Sequence, residues 1–217
     1  LVTPPIAMPP GRVIAAVNYE GSPRGYRRID GFERYDGKPK PSEASYWILK
    51  FDAGTAPIEK GDLVTGGTST ATGTALLDAV VESGSYGDGD AAGFVVLGGV
   101  AGDFQDNENL EVSAVAVAVA DGVAVENGAT DDTANSTYQR AAIEAARALV
   151  AAVPGSGPVR GVWVYDGDVY AFRDDAGGTN GVMYKATPSG WEAQTLGKKL
   201  DFTAGGGFRL AFTSGGA

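Results

Sequence analysis

Between Val112 and Val125 the chain alternates almost strictly, with Val115, Val117 and Val119 separated by alanines. A period of two places every second side chain on one face, which is the signature of a β-strand and excludes a helix. The alanines on the other face predict close packing rather than exposure to water. The same pattern recurs in short runs broken by glycine: DLVTG, TALLDAVVESG and GFVVLGGV between residues 62 and 100. The 33 glycines among 217 residues are spread along the chain, as expected for many turns between short strands. The stretch from 61 to 127 therefore predicts a small β-barrel or sandwich.

The period changes once. Asp131, Asp132 and Thr133 precede STYQRAAIEAARALVAAV, and acids with a Thr at the front are helix-start signals. Ile143, Ala146, Leu149 or Val150, and Val153 would share one face, and Pro154-Gly155 would end the helix. From 159 the period returns to two. VRGVWVYDGDVYAFRD predicts a hairpin around Asp166-Gly167, and GVMYKATPSGWEAQTL a second around Pro188-Ser189-Gly190. LDFTAGG and FRLAFTSGG read as further strands. Four short strands in about 40 residues have the size of one propeller blade. The expected fold is mainly β: a small β-barrel or sandwich module, antiparallel hairpins resembling part of a β-propeller, and one α-helix. The expected divisions are an N-terminal arm and docking segment (1–50), an acidic β-module (51–130), a helix and linker (131–155) and the hairpins (156–217), the last incomplete as a propeller.

The N-terminal arm is of a different kind. Pro4, Pro5, Pro9 and Pro10 impose an extended entry. RVIAAVNY, from Arg12 to Tyr19, reads as a short strand and GSPRG at 21–25 as a turn. In YRRIDGFERYDGKPKPSE (26–43), aromatic and charged residues interleave: Tyr26, Arg27, Arg28, Phe32, Arg34 and Tyr35. Asp30-Gly31 and Asp36-Gly37 mark tight turns, and no regular element fits. Such a segment is ordered only by packing against something else. It reads either as a well-packed loop or as a docking segment for a neighbouring domain or subunit, with those six residues as the contact candidates.

Chemistry is constrained by what is missing. The chain has no Cys and no His. Thiolate chemistry, His-based triads and two-His metal sites within the chain are excluded. GGTSTATG at 66–73 lacks the Lys-Ser/Thr of a P-loop. Carboxylates are the remaining candidates. Asp88 and Asp90 in GDGDA, and Asp103, Asp106 and Glu108 in GDFQDNEN, have oxygen ligands suited to calcium but match no EF-hand loop, and turn chemistry explains both. Asp166 and Asp168 likewise flank a hairpin glycine. The expectation is a protein that is not an enzyme and has no cofactor. No apolar run reaches the roughly 20 residues of a membrane span. Nothing at the N-terminus reads as a signal peptide, and a start at Leu1 leaves open a processed or trimmed chain.

The net charge of −10 is unevenly distributed. Residues 1–50 carry eight Lys/Arg against five Asp/Glu; residues 51–135 carry Lys60 alone against fifteen acids. The acidic middle reads as a solvated surface, as a lining over which nucleic acid slides without sticking, or as a calcium-binding region. Nothing is basic enough to hold DNA by counterion release.

The stretches GYRRIDGFERYDGKPKPSEASY (25–46), GPVRGVWVYDGDVYAFRD (157–174) and GVMYKAT…GWEAQTLG resemble virion proteins of tailed bacteriophages, nearest to the tail tubular or nozzle proteins of short-tailed phages. GDLVTGGTSTATGTALLDAV with AAGFVVLGGVAGDFQDNENLEV is similar to a small β-module inserted in phage structural proteins. The resemblance implies a virion tail protein: copies of itself in a ring, six by analogy, around a channel for genome exit, with other tail or adaptor proteins as partners and genomic DNA in transit. It also implies a propeller-like platform, of which this chain reaches about one blade. The other expectation is a phage or extracellular adhesion module binding carbohydrate, with Trp163, Trp191, Tyr165 and Tyr170 as a stacking surface.

Overall fold

The computed structural model describes residues 33–195 and, as backbone, the paired segments 19–22 and 25–28. The chain divides into two units, one ending at Glu33 and the other starting at Arg34. In the first unit, β1 (Tyr19–Ser22) and β2 (Gly25–Arg28) pair antiparallel, Tyr19 opposite Arg28 and Ser22 opposite Gly25. Tyr26, Arg27 and Arg28 therefore lie in a strand, not in the irregular segment expected for 26–43. GYRR thus pairs back on YEGS. Of the strand expected from Arg12 to Tyr19, only Tyr19 falls in β1. Its other residues, Phe32, and the strands expected in LDFTAGG and FRLAFTSGG lie outside the described residues.

The second unit contains a barrel. Its strands are β3 (Tyr46–Gly54), β4 (Leu63–Gly66), β5 (Thr72–Ala75), β7 (Ala91–Ala101), β8 (Asn109–Val112) and β9 (Val115–Ala120). β6 (Val80–Ser83) and β10 (Val125–Glu126) add outside it. The hydrogen-bonded order β3-β9-β8-β4-β5-β7 closes because β7 pairs back on β3, Tyr46 opposite Gly98 through Phe51 opposite Gly93. Of the two architectures the sequence left open, the barrel is the one formed: six antiparallel strands. Its interior holds Leu49, Phe51, Val64, Val95, Leu97 and Leu110, each at most 1% exposed. Ala118 and Ala120 are buried among them, while Ala114 and Ala116 are exposed, so only the second half of the small face of the Val/Ala run packs closely. The strict alternation fails at its start, where Val115 is 62% exposed. The β8–β9 register shifts between Leu110 and Glu111, and a bulge of this kind moves the following side chains to the other face.

Helix α1 (Asp132–Ala148) lies across the outside of the barrel, over β3 and β7. Asp131 caps it, its carboxylate accepting from the backbone N–H of Ala134 at 2.7 Å. The helix packs through Tyr138, Ala141 and Ala142 against Tyr46, Leu76, Phe94 and Val96. This face differs from the expected one. Ile143 is half-buried, Leu149 is the C-cap and 69% exposed, and Val150 and Val153 are buried beyond the helix end. The helix stops ahead of Pro154-Gly155 because 149–153 turns toward the second sheet. Tyr46 is the pin between helix and barrel. Its ring meets Tyr138 edge-on at 5.5 Å, its hydroxyl donates to Asn135 Oδ1 at 2.7 Å, and it accepts from Ala129 N at 3.2 Å. Tyr46→Phe keeps the ring and removes both bonds. It should cost about 1–2 kcal/mol in urea unfolding, with the far-ultraviolet spectrum unchanged.

The remaining strands form an antiparallel meander: β11 (Ser156–Tyr165), β12 (Asp168–Asp174), β13 (Gly181–Thr187) and β14 (Gly190–Ala193). Both expected hairpins are present. Asp166 and Gly167 have φ of 50° and 81°, the left-handed pair that a two-residue hairpin turn requires.

Candidate interaction surface

Of the six residues picked out in the arm, five lie among the described residues. Tyr26, Arg27 and Arg28 belong to β2 of the first unit, while Arg34 and Tyr35 open the second, both exposed and Tyr35 at 53%. The order in this region comes from a neighbour the sequence reading passed over. Asp36, 1% exposed, accepts from Lys38 N (3.0 Å) and Lys38 Nζ (2.8 Å) and from the backbone N–H of Ala151 (2.9 Å). Burial alone would push its carboxyl up, but the bonds from Lys38 and Ala151 outweigh it and hold it below the ordinary aspartate value. Gly37, at φ +100°, passes so close to Thr187 that a β-carbon would stand 2.3 Å from its carbonyl oxygen. Trp191 Nε1 donates to Ala151 O at 3.2 Å. Residues 36–38 are thus a packed loop that ties the turn after α1 to the β13–β14 hairpin. A lone Asp-Gly dipeptide carries no signal of that partner.

Of the five carboxylates singled out for calcium, Asp88, Asp90, Asp106 and Glu108 serve as structural acceptors. Asp90 accepts from Ser85 N at 2.8 Å and Asp88 from Ser85 Oγ at 2.7 Å, closing the 85–90 turn. Asp106 accepts from Gly122 N at 2.7 Å. Glu108, 3% exposed, accepts from Thr68 N, Ser69 N, Ser69 Oγ and Gln105 N at 2.7–3.1 Å. Burial pushes its carboxyl up, but those bonds prevail and keep it below the usual glutamate value. Gly66 makes room for it, since a β-carbon there would lie 2.4 Å from Glu108 Oε1. Among the described residues no cluster of three or more Asp and Glu could hold a metal ion, and no helix is long and apolar enough to cross a membrane.

The surface that stands out is β11. The register runs Val162–Ala171–Tyr184–Ala193 across one face of the meander, and Trp163–Tyr170–Lys185–Glu192 across the other. On the first face, Ala171 and Tyr184 are buried with Val153, Val182 and Trp191 around them. That cover stops short of β11: Val162 and Val164 are 62% and 63% exposed. On the second face Trp163 and Tyr165 are 41% and 43% exposed. Of the four aromatics proposed to stack on sugar, Trp163, Tyr165 and Tyr170 therefore share a face and Trp191 does not. Arg160, in the first half of β11, bonds Asp174 at 2.6 Å; from Gly161 to Tyr165 the strand has no charge. Compared with known protein families, curated proteins and solved structures, the chain matches none.

Proposed function

We propose that this chain is a structural subunit of a bacteriophage tail, working in the virion rather than as an enzyme. Copies of it would form a ring around the channel through which the genome leaves, in contact with other tail or adaptor proteins. The observation that carries the reading is β11, at the margin of its sheet among the described residues, with Val162 and Val164 more than 60% exposed. Exposed apolar strands are a liability in a chain that works alone and an asset in one that assembles. The acidic 51–135 stretch agrees with it, since a carboxylate-rich wall lets DNA pass without binding. Imaging the purified particle at subunit resolution tests the reading. A symmetric ring with an axial channel is expected; a monomer, or a peripheral trimer that binds glycan, would overturn it. The arm has its own test. Replacing Arg27, Arg28 and Arg34 together with Ser should block assembly, seen by light scattering, and leave the isolated chain folded and soluble. Normal assembly of that variant would remove the arm from the interface.

A second reading, a carbohydrate-binding adhesion module, is favoured by one observation. Trp163 and Tyr165 are partly exposed on the same face of the meander as Tyr170, the spacing on which a sugar ring stacks. Titration with glycans while following Trp fluorescence separates it from the first.

A further inference from the structure

We infer that Asn127 is a site of spontaneous covalent modification, at which the side-chain amide is converted to a mixture of aspartate and isoaspartate. The inference is independent of the assembly reading. The chain contains two Asn-Gly steps, Asn127-Gly128 and Asn180-Gly181. Glycine matters because no β-carbon shields its nitrogen from the amide carbon of the residue before it. The Gly128 nitrogen attacks Asn127 Cγ. The new N–Cγ bond closes a succinimide ring, the Cγ–Nδ2 bond breaks, and the proton of the Gly128 amide leaves with ammonia. Water then opens the ring at either carbonyl. Opening at Cγ leaves aspartate. Opening at the main-chain carbonyl leaves isoaspartate, with the side-chain methylene now in the main chain. Water is the only co-reactant, and nothing is oxidised or reduced.

The two steps are alike in sequence, and the fold separates them. Asn180 is half-buried and its amide is held. Nδ2 donates to Asp175 Oδ2 at 2.7 Å and to Thr179 Oγ1 at 3.1 Å, and the main-chain carbonyl accepts from Asp175 N at 2.8 Å. Gly181 opens β13 in register with Asp174. Asn180 must break these bonds to react. Asn127 is exposed, and its side chain makes no hydrogen bond among the described residues. Gly128 lies between β10 and α1, in neither, and its N–H is likewise unbonded among the described residues. Gly128 N reaches Cγ by rotation about the Asn127 Cα–C bond. Asn127 starts at φ 49°, a left-handed conformation that a residue with a side chain occupies at a cost, so leaving it is that much easier. The product bears on the pin between helix and barrel. Asn127 N donates to Tyr46 O at 2.8 Å, and Ala129 N donates to the Tyr46 hydroxyl at 3.2 Å. Isoaspartate adds a methylene to the main chain between these two bonds, so their spacing no longer matches the span of one tyrosine.

The test uses the full chain, and trypsin separates the two steps: Lys60 and Arg140 bracket Asn127, while Arg173 and Lys185 bracket Asn180. One portion is held folded at mildly alkaline pH and another in urea. Each peptide is then scored by mass for amide turned to acid, with fragmentation locating the residue. Unfolded, the two asparagines should convert alike. Folded, Asn127 should convert about tenfold faster than Asn180, the factor set by the net contribution of the bonds on Asn180 Nδ2. Asn127→Gln, which would have to close a larger ring, should abolish the mass gain in the peptide that spans residue 127. In converted protein the Ala129 amide should exchange faster than in fresh protein. Equal folded rates at the two residues, or a faster Asn180, overturn the inference, as does a mass gain that survives Asn127→Gln. An unchanged Ala129 amide would overturn the link to Tyr46.

Discussion

Glu108→Ala should be the most damaging single substitution in the barrel, lowering stability by about 3–4 kcal/mol. The carboxylate collects three backbone N–H groups, from Thr68, Ser69 and Gln105, and the Ser69 hydroxyl, while only 3% exposed. It joins the loop after β4 to the loop before β8. Removing it leaves four donors, three of them backbone N–H groups, short of an acceptor in a space too enclosed to hydrate fully. Hydrogen bonds to a charged group contribute about 1.5–3 kcal/mol each and do not add. Glu108→Gln retains one acceptor oxygen but introduces N–H groups among donors, and should fall between Ala and wild type. Urea midpoints followed by circular dichroism give the ranking, and a loss under about 1 kcal/mol for Ala would show that the loops hold without it. The pH dependence has a definite sign. The folded carboxyl titrates below its unfolded value, so its stabilisation is complete above the ordinary glutamate pKa. It is lost as pH falls through the lowered folded value. Acid unfolding of Glu108→Gln should therefore be less steep than that of wild type.

Asp36→Ala should act on a different part of the molecule. The carboxylate links Lys38 to the Ala151 amide, and Gly37 lies against Thr187, so the loop clamps the turn after α1 to the meander. Truncation leaves the Ala151 N–H and the Lys38 ammonium without their acceptor and should cost about 2–3 kcal/mol. The loss should be local: amides of β13 and β14 exchange faster, while those of β3 and β7 in the barrel keep their protection. Equal acceleration in both would mean that barrel and meander unfold as one cooperative body. Asp36 also titrates below its ordinary value, so the clamp holds above that value and weakens as the solution is acidified through the folded one.

The two acids illustrate what reading residues in order can reach. Glu108 drew attention as one of several oxygens in an acidic loop, a reading that treated it as a metal ligand or a turn residue. Three of its four donors come from a loop some forty positions earlier, and no local pattern encodes that meeting. Asp36 was legible as the start of an Asp-Gly turn, but its decisive donor, Ala151 N, is 115 positions away. The contact candidates of the arm are opaque for a related reason. Interleaved aromatics and charges signal a need for packing without saying where the partner lies. β11 was half legible: its alternation and Asp-Gly turn identify the hairpin, but not that cover fails over Val162 and Val164.

Local chemistry alone determined the period of two, the single change to a helical period after Asp131, the Asp166-Gly167 reversal and the absence of His and Cys chemistry. Each depends on neighbours within a few positions, where backbone geometry is imposed by side-chain branching, capping and turn residues. The tertiary structure decided the rest. Barrel closure needs β3 to meet β7 about fifty residues on, a choice made by which apolar faces fit. The end of α1 is set by the turn toward the meander rather than by Pro154. Ala118 and Ala120 are internal only because the strands curl into a closed barrel. The exposure of β11 follows from the limited reach of Val153 and Trp191, a matter of which surfaces run out of cover, and that is a property of the packed chain rather than of any window of sequence.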